Sequence, residues 1–137
     1  MEHRTRHIVV TSLEAAEALR KIVEEYQEDL AKEPSEDPDK VFEDYEKTEK
    51  FFNRLAKKYS LCPSKAVGGD LDWIYKEMPL PETLTQEVFD AILKTEKMTL
   101  PEPVKSKFGY HVLLVCETQV STRVEETTEE MDPRLTS

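Results

Sequence analysis

The 137-residue chain is poor in several features, and each shortage narrows what it can be. Its longest apolar run, Val112 to Cys116, falls far short of the ~20 residues that a membrane-spanning helix needs. No membrane span is therefore expected. The N-terminus, Met1-Glu2-His3-Arg4-Thr5-Arg6, contains no apolar signal-peptide region, so a cytoplasmic protein is expected. Positive charge is scarce: 19 Lys and Arg face 29 Asp and Glu, a formal net charge of −10. Phosphate binding needs clustered cations, so nucleic acid is excluded as a main partner. Anionic membranes and heavily phosphorylated substrates are disfavoured for the same reason, whereas neutral or basic peptides are tolerated. Only three glycines occur. Gly68-Gly69 is not followed by a GK[ST] element, so it is no phosphate loop and reads as a turn with close backbone approach. The two cysteines, Cys62 and Cys116, lie outside any CxxC, and two free thiols are expected.

What remains is the composition of one soluble domain, 38% hydrophobic and 35% charged. Residues 5–10 are β-branched and apolar and read as a strand, with His7 and Val9 on one face and Ile8 and Val10 on the other. Thr11 and Glu14 form a capping box ahead of a helix that carries Leu19, Ile22, Val23, Tyr26 and Leu30 at helical spacing and ends near Ala31. Asp37-Pro38 starts a second helix, with Phe42, Tyr45, Phe52, Leu55, Ala56 and Tyr59 as its stripe. The acidic stretch at about 32–44 reads as a solvated helical insertion between the two. Residues 60–70 form a loop, and 71–75 a strand. Thr83 and Gln86 open a third helix with Leu84, Val88, Phe89, Ile92 and Leu93. Pro101 and Pro103 bound a short edge segment, and Tyr110 to Glu117 form the clearest strand. Such mixed elements without regular βαβ alternation predict an α+β fold. The domain is expected over 1–118, followed by a polar, disordered tail over 119–137.

Three polar residues stand out: His7 in the first strand, Cys62 in the middle loop and His111 in the last strand. A sheet with its first and last strands side by side would bring the two histidines together. A zinc site from these three is chemically possible, but their spacing carries no zinc signature. Cys62-Pro63-Ser64 is superficially like a monothiol redox motif, but a helix rather than a strand precedes it, against a thioredoxin-like unit.

Four blocks resemble the parvulin-type peptidyl-prolyl isomerases in the family's order. They are Arg6-His7-Ile8-Val9-Val10; the segment from Phe52 to Ser64; Gly68-Gly69-Asp70-Leu71-Asp72-Trp73-Ile74; and Pro103 to His111, which contains Phe108-Gly109-Tyr110-His111. Together they span residues 6 to about 117. The resemblance implies a parvulin-like (FKBP-like) four-stranded, mostly antiparallel sheet surrounded by about four helices. It implies cis/trans isomerisation of X-Pro bonds in peptides and folding proteins, by a monomer with no metal or other cofactor. His7, Cys62, Ser106 and His111 would be the catalytic group, and Leu71, Met78, Leu84 and Phe108 the proline pocket. The departures are Asp72, where the family's turn commonly has glycine, and Leu84, where it commonly has an aromatic. Here Thr11-Ser12 leads directly into a helix, where phospho-specific members carry a basic loop, so no phosphoserine preference is expected. The competing expectation is a catalytically weak peptide-binding or chaperone module that uses the same groove.

Overall fold

A computed structural model describes residues 1–121 of the chain. Its elements are β1 (Glu2–Val10), α1 (Leu13–Lys32), α2 (Lys40–Tyr59), a 3₁₀ helix (Pro63–Val67), β2 (Asp70–Ile74), α3 (Gln86–Lys94), β3 (Val104–Ser106) and β4 (Gly109–Gln119). The strands form one antiparallel sheet in the order β2-β1-β4-β3. The α+β architecture is as expected, with three α-helices and one 3₁₀ helix among the described residues. The first and last strands are the two central neighbours of the sheet.

Helices cover both faces. On one, Ile8, Val10, Val112, Leu114 and Cys116 pack with Ala16, Leu19 and Val23 of α1 and Phe52 and Ala56 of α2. On the other, Ile74, Leu113 and Val115 pack with Val88, Phe89 and Ile92 of α3. A strand buried on both faces needs apolar side chains at every position rather than at every second one. This is why Val112 to Cys116 is an unbroken apolar run and wholly buried. The period-two reading of β1 holds: Ile8 and Val10 join the core under α1 and α2, while His7 lies on the opposite face.

Several boundaries differ from those expected, each for a physical reason. β1 begins at Glu2 because Glu2, His3 and Arg4 pair with Gln119, Thr118 and Glu117 of β4, a contact no local pattern reveals. The same pairing carries β4 past the expected limit at 118, and the Gln119 side-chain amide donates to Glu2 Oε1 at 3.0 Å. Residues 122–137 of the expected tail lie outside the described residues. Ser12, not Thr11, caps α1, accepting at Oγ from the Ala15 N–H. α2 begins at Lys40 because Asp37 Oδ1 accepts from the Asp39 N–H at 2.8 Å, turning the chain once before the helix starts. The expected acidic insertion therefore comprises the connection 33–39 and the first residues of α2. Thr85, rather than Thr83, precedes α3, and the Gln86 amide donates to Asp90 instead of closing a capping box.

Asp72 explains its own departure from the glycine pattern. Its φ is +60°, at an irregularity where the β1–β2 register shifts between Arg4 and Arg6. Its N–H is held by Asp70 Oδ1 at 2.8 Å. Aspartate tolerates this left-handed conformation better than most residues, but glycine occupies it without a Cβ penalty. Asp72→Gly is therefore expected to raise stability by roughly 0.5–1 kcal/mol, read from the urea midpoint. A lower midpoint would show that the aspartate contributes more than its backbone strain costs.

Candidate active site

β1 and β4 each contribute one histidine to the face opposite α1 and α2. Their Nδ1 atoms lie 3.2 Å apart, and the ring centroids 5.2 Å apart. Two nitrogens at that distance share one proton, so one ring donates and the other accepts. The outer nitrogens are also engaged. His7 Nε2 lies 3.2 Å from Cys62 Sγ and 3.1 Å from Ser64 Oγ. His111 Nε2 lies 2.6 Å from Ser106 Oγ. A single chain of polar contacts thus runs from Cys62 and Ser64 through both imidazoles to Ser106. It is self-consistent in either direction. If His7 donates to His111, Ser64 or Cys62 donates to His7, and His111 donates to Ser106; reversing every donor satisfies the same contacts.

Both imidazoles are fully buried. Burial disfavours the charged form. It lowers His7 to about 3, with the neighbouring His111 adding to the effect. It lowers His111 to about 4. The pair is neutral at neutral pH, as the shared-proton arrangement requires.

The segment after α2 places the thiol. Ser60 Oγ accepts from the Val9 N–H at 3.0 Å and the Cys62 N–H at 3.3 Å, and the Leu61 N–H donates to Val9 O at 2.8 Å. Residues 60–62 are thereby stitched along the end of β1. Cys62 then leads the 3₁₀ helix, with Pro63 in its first turn. The helix ends at Gly68 and Gly69, both with positive φ. Gly69 O accepts from the His7 N–H at 2.9 Å. On the other side, the β3–β4 hairpin carries Ser106, whose Oγ also accepts from the Phe108 N–H at 3.1 Å.

A cleft of about 320 Å³ opens beside this group, lined by Val9, Leu61, Cys62, Pro63, Glu82, Thr83 and Phe108. The structure brings His7, Cys62, Ser106 and His111 into one polar group and adds Ser60 and Ser64, which sequence reasoning did not single out. Their signal was the pair of hydroxyls flanking the thiol in Ser60-Leu61-Cys62-Pro63-Ser64. Of the four residues expected to line a proline pocket, only Phe108 lines this cleft. Leu71 and Met78 are half-buried against the core under α3, and Leu84 belongs to that core at 3% exposure. Leu84 is drawn inward because it packs with Val88, Phe89 and Ile92. Cys116 lies in the core on the opposite face of the sheet, with its thiol pushed up to about 12 by burial.

The four-stranded sheet and the helices packed on it have the parvulin fold. The solution structure of NmPin, the parvulin of Nitrosopumilus maritimus, matches it with a TM-score of 0.56 over 83% of this chain and 94% of that one, at 23% identity. The chain belongs to the rotamase family of PPIC-type PPIase domains, whose profile matches residues 7–117. Among particular relatives, it is 42% identical over 62 residues to the foldase protein PrsA of Bacillus subtilis, covering 45% of this chain and 20% of that protein. It is 43% identical over 65 residues to the chaperone SurA of Pseudomonas fluorescens, covering 47% of this chain and 14% of that one. The crystal structure of PrsA from Bacillus cereus matches with a TM-score of 0.60 at 27% identity, covering 98% of this chain and 42% of that one. The chain thus spans a fifth or less of the length of these two curated relatives.

Proposed function

We propose that the chain isomerises the peptide bond before proline in peptides and folding proteins, without a covalent intermediate. The observation that carries this reading is the neutral, hydrogen-bonded chain Cys62/Ser64–His7–His111–Ser106 beside an apolar cleft. The uncatalysed barrier of about 20 kcal/mol is the loss of amide resonance at the twisted state. No bond breaks, so a catalyst need only bind the twisted amide better than either planar form. Leu61, Pro63 and Phe108 would hold the proline ring, while Leu71, Met78 and Leu84 pack with the core under α3. Cys62 and Ser106 would face the rotating amide, and His7 and His111 would fix their orientation and polarity. The direct Thr11-Ser12 passage from β1 into α1 and the Glu82 carboxylate in the cleft wall favour neutral or basic residues before proline over phosphoserine. We further read the described chain as one domain acting as a monomer. Its two unpaired thiols, Cys62 and Cys116, suit a compartment that keeps thiols reduced, such as the cytoplasm.

The test is proline exchange measured by NMR on short peptides with Glu, Leu, Lys or phosphoserine before proline. Acceleration is expected for Leu and Lys, with phosphoserine slowest. Cys62→Ser is expected to keep activity within about tenfold, whereas loss of a thiol nucleophile would cost on the order of a thousandfold or more. A folded protein that accelerates none of these peptides would overturn the reading. The exposed Leu61, Leu80 and Phe108 also favour a binding role, in keeping with relatives named foldase and chaperone. That alternative predicts peptide binding at the cleft with no change in exchange rate.

A further inference from the structure

We infer that Arg6 is a positioning residue for the active site, acting from the opposite face of the sheet through the turn that carries Cys62 and Ser64. The inference rests on the isomerase reading of the cleft. Adjacent residues of a strand project to opposite faces. His7 enters the polar group, and the Arg6 side chain leaves the strand on the side of α2. There its Nε donates to Glu49 Oε2 at 2.9 Å. Its Nη1 donates to Val67 O at 2.9 Å and Gly68 O at 3.0 Å. These carbonyls lie at the C-terminal end of the 3₁₀ helix Pro63–Val67, where a short helix leaves its acceptors without internal partners.

The same helix presents Cys62 and Ser64 to His7 Nε2 from its other end. One side chain of β1 thus grips the turn from behind while its neighbour, His7, meets the turn's functional groups in front. The His7 N–H to Gly69 O bond completes the link. Gly68 is shaped for this grip: a Cβ there would stand 2.8 Å from Arg6 Nη1 and 2.1 Å from Asn53 Oδ1. Glu49, from α2, holds the guanidinium in place and binds Arg4 through both carboxylate oxygens, at 2.6 and 2.8 Å. Arg4 touches Glu49 and Glu117. None of the hydrogen bonds to the turn carbonyls is its own, which makes it the natural control.

The experiment compares Arg6→Gln, Arg6→Lys and Arg4→Gln in the full chain. The first readout is the alkylation rate of the Cys62 thiol by iodoacetamide, resolved by mass spectrometry, with the core Cys116 reporting global opening. The second is kcat and KM for a Leu-Pro peptide at a temperature where each variant is folded. Arg6→Gln is expected to speed Cys62 alkylation and to lower kcat by about tenfold, with KM changed less, because misplacing positioned groups weakens what they do at the transition state. Arg6→Lys keeps the charge for Glu49 but loses the planar fork, so it is expected to fall between wild type and Arg6→Gln. Arg4→Gln is expected to lower the melting temperature while leaving Cys62 alkylation and kcat near wild type. If the Arg6 and Arg4 variants behave alike, Arg6 has only a stabilising role and the inference is wrong. Absence of exchange in the wild type would reject the isomerase reading, whereas the alkylation contrast separately decides whether Arg6 holds the turn.

Discussion

Gly69→Ala is expected to lower stability by roughly 4 kcal/mol, at the severe end for a single substitution. Two causes act together. The residue has φ +78°, where an L side chain is strained by about 1–2 kcal/mol. An added Cβ would also stand 2.2 Å from the His7 carbonyl oxygen and 3.2 Å from Ala56 Cβ. The first of these contacts is to backbone in a central strand, which cannot swing aside as a surface side chain can. Relief requires β2 to draw away from β1, which breaks the His7 N–H to Gly69 O bond. A domain of this size has about 5–15 kcal/mol of total stability, so the variant is expected to be partly unfolded at 37 °C. Urea unfolding at 25 °C checks the magnitude, and a loss under about 1 kcal/mol would contradict the close approach of the two strands. Because the turn also carries Cys62 and Ser64, whatever remains folded is expected to have lost the contacts at His7 Nε2.

Acidification is expected to have the second large effect, and to act well above the pH at which Glu49 protonates. His7 and His111 have folded values of about 3 and about 4, both below the ordinary 6.5. Between 6.5 and those values the unfolded chain binds more protons than the folded one, so stability rises with pH across the window. The contribution is fully present above 6.5 and is lost as pH falls towards the folded values. At pH 5 each histidine is expected to have removed about 2 kcal/mol relative to pH 7. His3, lowered by burial and by the N-terminal charge, acts with the same sign. Glu49, held at about 2 chiefly by its hydrogen bonds with Arg4, adds its loss only below about 4.5. Denaturant titrations at pH 7, 6 and 5 should therefore show a steep fall that begins near 6.5, and a flat profile down to pH 5 would mean that the folded pair takes up its protons at the ordinary value. The isomerase rate, by contrast, is expected to be flat between pH 6.5 and 8, since neither ring changes charge there.

The helices and strands were legible where local chemistry decides them. The helical spacing of α2, the β-branched run of β1 and the unbroken apolar run of β4 mark elements that occur close to where expected, although Phe42 and Tyr59 at the two ends of the α2 stripe are exposed. Helix starts were less legible. Thr11 and Ser12 are both competent caps, and Ser12 takes the position because β1 pairs with β4 as far as Val10. At α3 the Thr83–Gln86 spacing suggested a box, but Gln86 is itself the first helical residue and bonds forward to Asp90.

The candidate site divides in the same way. Its chemistry could be named from residue types in a family pattern: two histidines, a thiol and a hydroxyl. Ser60 and Ser64 escaped notice because a serine in a loop has many satisfactory partners, and only the folded backbone selects one. Leu84 could not be assigned from its spacing, because a leucine ahead of a helix serves a cleft wall or a core equally well. The packing of α3 against the sheet chose the core.

By itself the sequence determined an acidic α+β domain with one histidine in its first strand and another in its last, because charge, composition and periodicity are properties of neighbouring residues. Only the tertiary structure decided that His7 and His111 share a proton 3.2 Å apart, that Arg6 grips the Cys62 turn from behind, and that Asp72 occupies a left-handed position. The physical reason is sequence distance. These features join groups separated by tens to about a hundred residues, and their geometry is set by strand register and backbone twist, which no local spacing encodes.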